Sequence, residues 1–169
     1  MSSAIVIRPD LPDVVFDLFR RAFPNYNSDL KKFWPPNSAH ALVYVGETLV
    51  AHAGFLERTL HLPDRDVLTA YVEDVAADPR NQGHGTAAMN ALAGEIRRRS
   101  YKLAALASGS PEFYERLGWR LWRGPTGYRK DGRVVDMPRE ERPMVLDLGA
   151  NVDPDQRLEC DWRDTGDVW

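Results

Sequence analysis

The segment Tyr71-Val72-Glu73-Asp74-Val75-Ala76-Ala77-Asp78-Pro79-Arg80-Asn81-Gln82-Gly83-His84-Gly85-Thr86 constrains this chain more than any other. Residues 66–77 are rich in Val, Leu, Thr and Tyr and read as a strand. The polar loop after them enters a helix over 85–99, with Met89, Leu92, Ala93 and Ile96 as its apolar stripe. Glycine at 83 and 85 lets backbone come close to a ligand and exposes consecutive N–H groups. With the helix dipole behind them, such groups form an anion site suited to a pyrophosphate. A nucleoside-triphosphate loop is excluded, because no lysine precedes Thr86. A dinucleotide fingerprint over Gly83–Ala88 fits only superficially. A charged loop separates it from the strand, and no ribose-binding acid stands about 20 residues on. A glycine-rich turn that only caps a helix remains as the structural alternative.

The rest of the chain frames that segment. Residues 4–7 suit a first strand, and 13–23 a helix with Val14, Val15, Leu18, Phe19 and Ala22 on one side. Ser28 or Asp29 would cap a short helix through Phe33, stopped by Trp34-Pro35-Pro36. Residues 40–45 alternate, Gly46-Glu47 turns, and 48–62 read as a longer strand before a second turn at 63–65. Leu103 to Ala107 suits a buried strand, Pro111 to Leu117 a short helix ended by Gly118, and further strands follow near 119–123 and 144–148. This order predicts a mixed α/β or α+β fold.

At 169 residues the chain is long enough for one domain, 1–169, and too short for two comfortable ones. Lys and Arg number 22 and Asp and Glu 25, a net −3 that argues against a coat for nucleic acid or an anionic membrane. The charge is uneven: residues 1–130 hold 17 basic and 14 acidic side chains, residues 131–169 hold 5 and 11. The lone Cys160 fits a reducing compartment. With no basic-then-apolar leader and no apolar run of membrane-spanning length, the expected address is the cytoplasm. His40, His52 and His61 lie apart without metal-ligand spacing, so they read as strand histidines and no metal is expected.

Arg80-x-x-Gly83-x-Gly85, after a strand carrying an acid and before an amphipathic helix, resembles the acyl-coenzyme A loop of the GNAT N-acetyltransferases. Phe113-Tyr114-Glu115-Arg116-Leu117-Gly118-Trp119 resembles the later motif of that superfamily, whose tyrosine stands beside the thioester sulfur. The end of the chain, Cys160-Asp161-Trp162-Arg163-Asp164-Thr165-Gly166-Asp167-Val168-Trp169, is similar to that of aminoglycoside 2′-N-acetyltransferases. So are the blocks His40-Ala41-Leu42, Ala51-His52-Ala53, Tyr71-Val72-Glu73, Tyr101-x-Leu103, Leu106-x-Ser108 and Gly118-Trp119. The resemblance implies a GNAT fold, a mixed splayed sheet with helices on both faces. It also implies transfer of acetyl from acetyl-coenzyme A to the 2′-amine of an aminoglycoside, giving antibiotic resistance. Neither nucleic acid nor membrane is an expected partner, and a homodimer is left open.

Roles follow residue by residue. An acid in the apolar run 68–77 is costly unless solvated or paired, and the resemblance makes Glu73 the general base or a substrate contact. If strand alternation holds, Asp74 points to the opposite face and is a solvated or structural acid. Tyr114 would protonate the departing thiolate. Arg80, Gln82, Gly83, His84, Gly85 and Thr86 fall to the pyrophosphate, and Val75 and Ala77 to the strand edge along which the pantetheine arm pairs. Tyr26, Glu73, Ser108, Glu140, Glu141, Asp167 and Trp169 fall to the acceptor. The free carboxylate of Trp169 is a second candidate base. Trp162, Val168 and Trp169 are a heavy apolar load for a frayed tail, so a docked tail is expected. Cys160 reads as a packed small residue, and the attack as direct.

Two departures bear on the acceptor. Tyr26 stands where many relatives carry an acid, and Arg139 stands near a position that is acidic in them. Fewer acids and an added arginine suit an acceptor with fewer amines and a carboxylate, as in kasugamycin. The rival readings are a GNAT enzyme for another small amine or a protein amino terminus, and a non-catalytic module that sequesters an aminoglycoside. On the leading reading, the basic excess lies with the loop for an anionic cofactor and the acidic excess with the tail for a cationic acceptor.

Overall fold

Helix α1 (Val14–Ala22) buries Val15, Leu18, Phe19 and Ala22, a spacing that puts four apolar side chains on one face. Val14, expected on the same stripe, is exposed at the first helical position. These positions come from a computed structural model, which describes residues 3–26, 34–138, 140, 142–164 and 168–169. The short helix expected at 28–33 lies outside the described residues. The chain forms two compact units, Met1–Leu56 with Val72–Arg99 and Glu57–Tyr71 with Ser100–Trp169.

In the first unit, β1 (Ser3–Arg8) pairs antiparallel with β2 (Ala39–Val45), and β2 pairs antiparallel with β3 (Thr48–His61). Gly46 turns between β2 and β3 with φ +60°. Residues 39–43 are all buried, so the alternation of β2 is not an alternation of exposure. Leu42 joins Leu11, Val15, Leu18, Phe19 and Ala22 in one cluster, and helix α2 (His84–Arg98) also packs on β2. Helix α2 buries Ala88, Met89, Leu92 and Ile96, and also Glu95. Arg98 and Arg99 hold that carboxylate in three hydrogen bonds of 2.7 Å. The Arg98 hydrogen bond, with Arg99 behind it, pulls the Glu95 carboxyl down to about 2 against the burial that would raise it.

The second unit holds the end of β3, the start of β4 (Asp66–Ala77), and β5 (Leu103–Ala107), α3 (Pro111–Glu115), β6 (Arg120–Leu121), β7 (Thr126–Lys130), β8 (Arg133–Asp136), β9 (Pro143–Asp147) and β10 (Leu158–Asp161). Its strands lie in the order β6-β9-β5-β4-β3-β10-β7-β8. β4 runs parallel to β5 at Ala70↔Ala104 and Tyr71↔Ala105, and β10 runs parallel to β7. The other described pairs in this unit are antiparallel, which makes the sheet mixed, as expected. Three strands, β7, β8 and β10, are additions to the reading from sequence. β7 and β8 form a hairpin at Asp131-Gly132, where both residues have positive φ. That turn chemistry was available in the sequence, but polar Thr126–Lys130 hid the strands around it.

Trp34 packs edge-on against His40, with ring centroids 4.4 Å apart, in space left by Gly54. A Cβ on Gly54 would lie 2.5 Å from Trp34 Cη2 and 2.9 Å from His40 Nδ1. Two stiff rings must then move. Gly54→Ala is expected to destabilise the protein by about 1–3 kcal/mol, read from the urea midpoint at unchanged slope.

Candidate active site

β4 does not run as a regular strand. Asp74 has φ +54°, a left-handed backbone that costs an L-residue about 1–2 kcal/mol. The alternation expected to send Asp74 to the face opposite Glu73 therefore fails, and Glu73, Asp74 and Val75 are all half-buried. Oε1 of Glu73 is sealed from solvent. Ala77 ends the strand, and the Asp78 N–H donates to the Val50 carbonyl at 2.9 Å.

The loop that follows is tied to α1 from both sides. Arg21 donates to Asp78 Oδ2 at 2.9 Å and to the Leu49 carbonyl at 2.8 Å. Arg80, expected on the pyrophosphate, donates from Nη2 to the Ala22 carbonyl at 3.1 Å, so part of its guanidinium braces the end of α1. Asn81 and Gly83 are both left-handed, with φ +61° and +78°. Residues of this hand within a turn build the concavities in which backbone N–H groups converge. Open space surrounds a Cβ placed on Gly83, so its φ, not a close approach, is what calls for glycine there. Gln82 is exposed and His84, Gly85 and Thr86 are half-exposed, opening a helix with no acid in its first turn.

The second unit brings Tyr114 and Ser108 together. Tyr114 is buried on α3, flanked by Phe113 at 4.9 Å and Trp119 at 6.3 Å between ring centroids. Burial pushes its phenol pKa up, while the Ser108 hydroxyl pulls the other way. Gly118 turns the chain after α3 with φ +90°. At the C-terminus, Val168 and Trp169 are only 8% and 9% exposed. Arg58 Nη1 donates to the Val168 carbonyl at 2.7 Å and Nη2 to the Asp161 carbonyl at 3.1 Å, with the guanidinium 4.5 Å over the Tyr71 ring. Cys160 is buried beside Val168 O, and burial raises its thiol pKa. Trp162 stays half-exposed, with its ring 5.0 Å from Tyr128 and under the Lys130 ammonium. Glu140 is exposed, while Arg139, Glu141 and Asp167 lie outside the described residues. Tyr26, in the first unit, packs 5.5 Å from the Phe19 ring.

Two groupings escaped the reading from sequence. Arg58 contacts the tail across 110 positions, and no local pattern announces that. His40 and His52, expected to lie apart, are in contact instead. His40 Nδ1 is 3.0 Å from His52 Nε2, and His52 Nδ1 is 2.7 Å from the Asp74 carbonyl. The physical reason is a shift of register. Val45 pairs with Thr48 across the turn, and that register alone would set His40 opposite Ala53, facing away from His52. The irregularity between Val43 and Tyr44 moves the pairing by one, so that His40 opposes Gly54 and Leu42 opposes His52. The two imidazoles then share a face.

Residues 7–122 match the family model described as an acetyltransferase (GNAT) domain. An aminoglycoside 2′-N-acetyltransferase of Mycolicibacterium fortuitum is 35% identical over 139 residues, covering 77% of this chain and 70% of that protein. A GNAT family N-acetyltransferase of Escherichia coli, solved with CoA, matches with a TM-score of 0.64 at 18% identity, over 95% of this chain and 91% of that one. An acetyltransferase of Elizabethkingia anophelis, solved with acetyl-CoA, matches with a TM-score of 0.58 at 16% identity, over 85% and 98%. The chain spans about a third of some longer solved relatives, among them a probable N-acyltransferase of Enterococcus faecalis, matched at a TM-score of 0.62 and 17% identity over 71% of this chain and 33% of that one. The family model, which matches more than half of the chain, makes this a GNAT acetyltransferase. Within that class, the chain belongs to the aminoglycoside 2′-N-acetyltransferase family. Among the described residues, no helix is long and apolar enough to cross a membrane, and no group of three or more His, Cys, Asp or Glu is placed to hold a metal ion.

The histidine pair makes stability depend on pH. Burial, with the neighbouring His40, pushes His52 down to about 3, against its hydrogen bond to the Asp74 carbonyl. Burial likewise pushes His40 down to about 4, against the pull of Asp10. Between these values and the ordinary 6.5 the unfolded chain binds more protons than the folded one. This contribution is therefore complete above about pH 6.5 and is lost as pH falls toward 4, at about 1.4 kcal/mol per pH unit for each histidine. Urea unfolding at about pH 7, 6 and 5 is expected to record that decline, and His40→Leu to remove one histidine's share of the slope.

Proposed function

We propose that this enzyme transfers acetyl from acetyl-coenzyme A to the 2′-amino group of an aminoglycoside antibiotic, kasugamycin before any other single acceptor, and so confers resistance in the cytoplasm. Residues 1–169 act as one catalytic domain in this reading. The observation that carries it is the docked tail. Val168 and Trp169 are buried and Arg58 grips the Val168 carbonyl at 2.7 Å, in a segment similar to the C-terminus of aminoglycoside 2′-N-acetyltransferases. The 35% identity to a protein of that activity supports the acceptor class.

The loop fits the pyrophosphate of acetyl-coenzyme A in its chemistry. Left-handed Asn81 and Gly83, the exposed Gln82 and the acid-free first turn of α2 favour an anion held by backbone N–H groups. Arg80, His84, Gly85 and Thr86 complete the loop, with Val75 and Ala77 along the pantetheine arm. The coenzyme, when bound, supplies a thioester. Glu73 takes a proton from the 2′-ammonium, and the freed amine attacks the thioester carbonyl. A C–N bond forms, the C–S bond breaks, Tyr114 gives its proton to the departing thiolate, and the second proton shed by the new amide nitrogen restores the Tyr114 phenol. Burial holds the Tyr114 phenol in its neutral form, the form that carries the proton to be donated. Ser108, Glu140, Glu141, Asp167 and Trp169 contact the acceptor. Tyr26 contributes an aromatic surface where relatives supply charge, which with Arg139 favours an acceptor that carries a carboxylate.

Release of coenzyme A thiol is the direct assay. Glu73→Gln is expected to lower kcat by about 10²-fold or more while leaving acetyl-coenzyme A binding intact, and Tyr114→Phe to lower kcat by a smaller factor. Removing Asp167-Val168-Trp169 is expected to abolish turnover of aminoglycosides. Unchanged turnover after truncation supports an enzyme for another amine or a protein amino terminus, and drug binding without thiol release supports a sequestering module. Turnover of gentamicin but not kasugamycin rejects the choice of acceptor.

A further inference from the structure

Asp74 stands between Glu73 and Val75, so its left-handed backbone sets the direction of one relative to the other. A carbonyl only accepts, which makes His52 Nδ1 the protonated nitrogen of the 2.7 Å contact to Asp74 O. A neutral His52 then presents a bare Nε2, and His40 Nδ1 donates to it across 3.0 Å. Donation runs one way, from His40 to His52 to the backbone of β4. Both rings are held laterally. Phe19 meets His52 edge-on at 5.2 Å and Trp34 meets His40 at 4.4 Å, and both imidazoles are fully buried. His40 Nε2 ends the relay as a buried acceptor with no hydrogen-bond partner among the described residues, so the tautomers are set from the Asp74 end.

We propose that His52, oriented by His40, is a positioning residue for acetyl transfer, its Nδ1–H fixing the Asp74 carbonyl and with it the left-handed step that aims Glu73 and Val75. The inference rests on the reading of Glu73 as the base and of β4 as the edge for the pantetheine arm. Without the hydrogen bond, residue 74 relaxes toward extended backbone. The side chains before and after it then turn toward a common face, because residues two apart in regular β-backbone share one. A base and a coenzyme arm set by neighbouring residues lose their mutual geometry, while the fold around them stays.

The test compares two amides. His52→Asn keeps an N–H donor near the place of Nδ1, whereas His52→Gln moves it toward the place of Nε2. With both variants shown to be folded by circular dichroism, His52→Gln is expected to lose about 10–10²-fold in kcat and to bind acetyl-coenzyme A more weakly by calorimetry. His52→Asn is expected to stay within about threefold of the natural enzyme in both. Equal losses in the two variants, or no loss in His52→Gln, overturn the proposal. ¹⁵N NMR of the unaltered protein decides it where a variant does not fold: an Nδ1–H tautomer at His52 supports it, and an Nε2–H tautomer rejects it. Glu73→Gln keeps the two readings apart. If Glu73→Gln turns over normally while His52→Gln alone loses coenzyme affinity, the base assignment fails and the positioning role stands. If Glu73→Gln is inactive and His52→Gln behaves as the natural enzyme, the positioning role fails alone.

Discussion

The hydrogen bond from His52 to the carbonyl of Asp74 is the constraint on which the first unit turns. A left-handed aspartate inside a strand costs about 1–2 kcal/mol, more than the typical net worth of one exposed hydrogen bond. Burial changes that comparison, because an unsatisfied carbonyl in this interior would cost about as much again. The imidazole must then be neutral, correctly protonated and immobile. Each requirement is met by a different residue. Burial keeps the ring neutral, His40 occupies its second nitrogen, and Phe19 closes its flank. Gly54 leaves the space in which Trp34 can lie against His40. The consequence reaches the proposed site, since the residues on either side of Asp74 are Glu73 and Val75.

How much of this was legible depends on whether the signal was local. β4, α2 and β5 were readable because their apolar periods are carried within each segment. The loop between β4 and α2 was readable because glycine at 83 answers a backbone need that the structure places there, φ +78°. The hand of Asp74 was not readable, since aspartate tolerates the left-handed region without requiring it. The contact of His40 with His52 failed for a sharper reason. The hairpin turn was identified, but a single shift of register between Val43 and Tyr44 decides which face His40 takes, and nothing in Val43-Tyr44 advertises a bulge. The grip of Arg58 on Val168 joins residues 110 apart and has no sequence period at all. β7 and β8 are the opposite case: Asp131-Gly132 advertised the hairpin, and the polar composition of its strands concealed it.

The uneven charge of the chain also takes a different meaning once its partners are seen. Residues 131–169 carry 11 acids against 5 bases, an excess that as a bulk quantity would suit a cationic acceptor. Much of it is already engaged. Asp155 forms a two-point pair with Arg123, and that hydrogen bond holds its carboxyl below the usual range. Asp136 and Glu159 share Arg157, and Arg129 completes the group at 2.8 Å from Glu159. Asp161 faces His61, and Asp147 accepts from the backbone N–H groups of Gly149, Asn151 and Val152. These acids organise the second unit and its strand β10, and a carboxylate neutralised by arginine offers little field to a passing cation. A cationic acceptor of the class proposed would therefore be read by the placement of single groups and not by the acidity of the segment. On the proposed reading, one substitution such as Tyr26 for an acid, or one arginine at 139, then weighs on the preference among acceptors as a single group and not as a share of a bulk field.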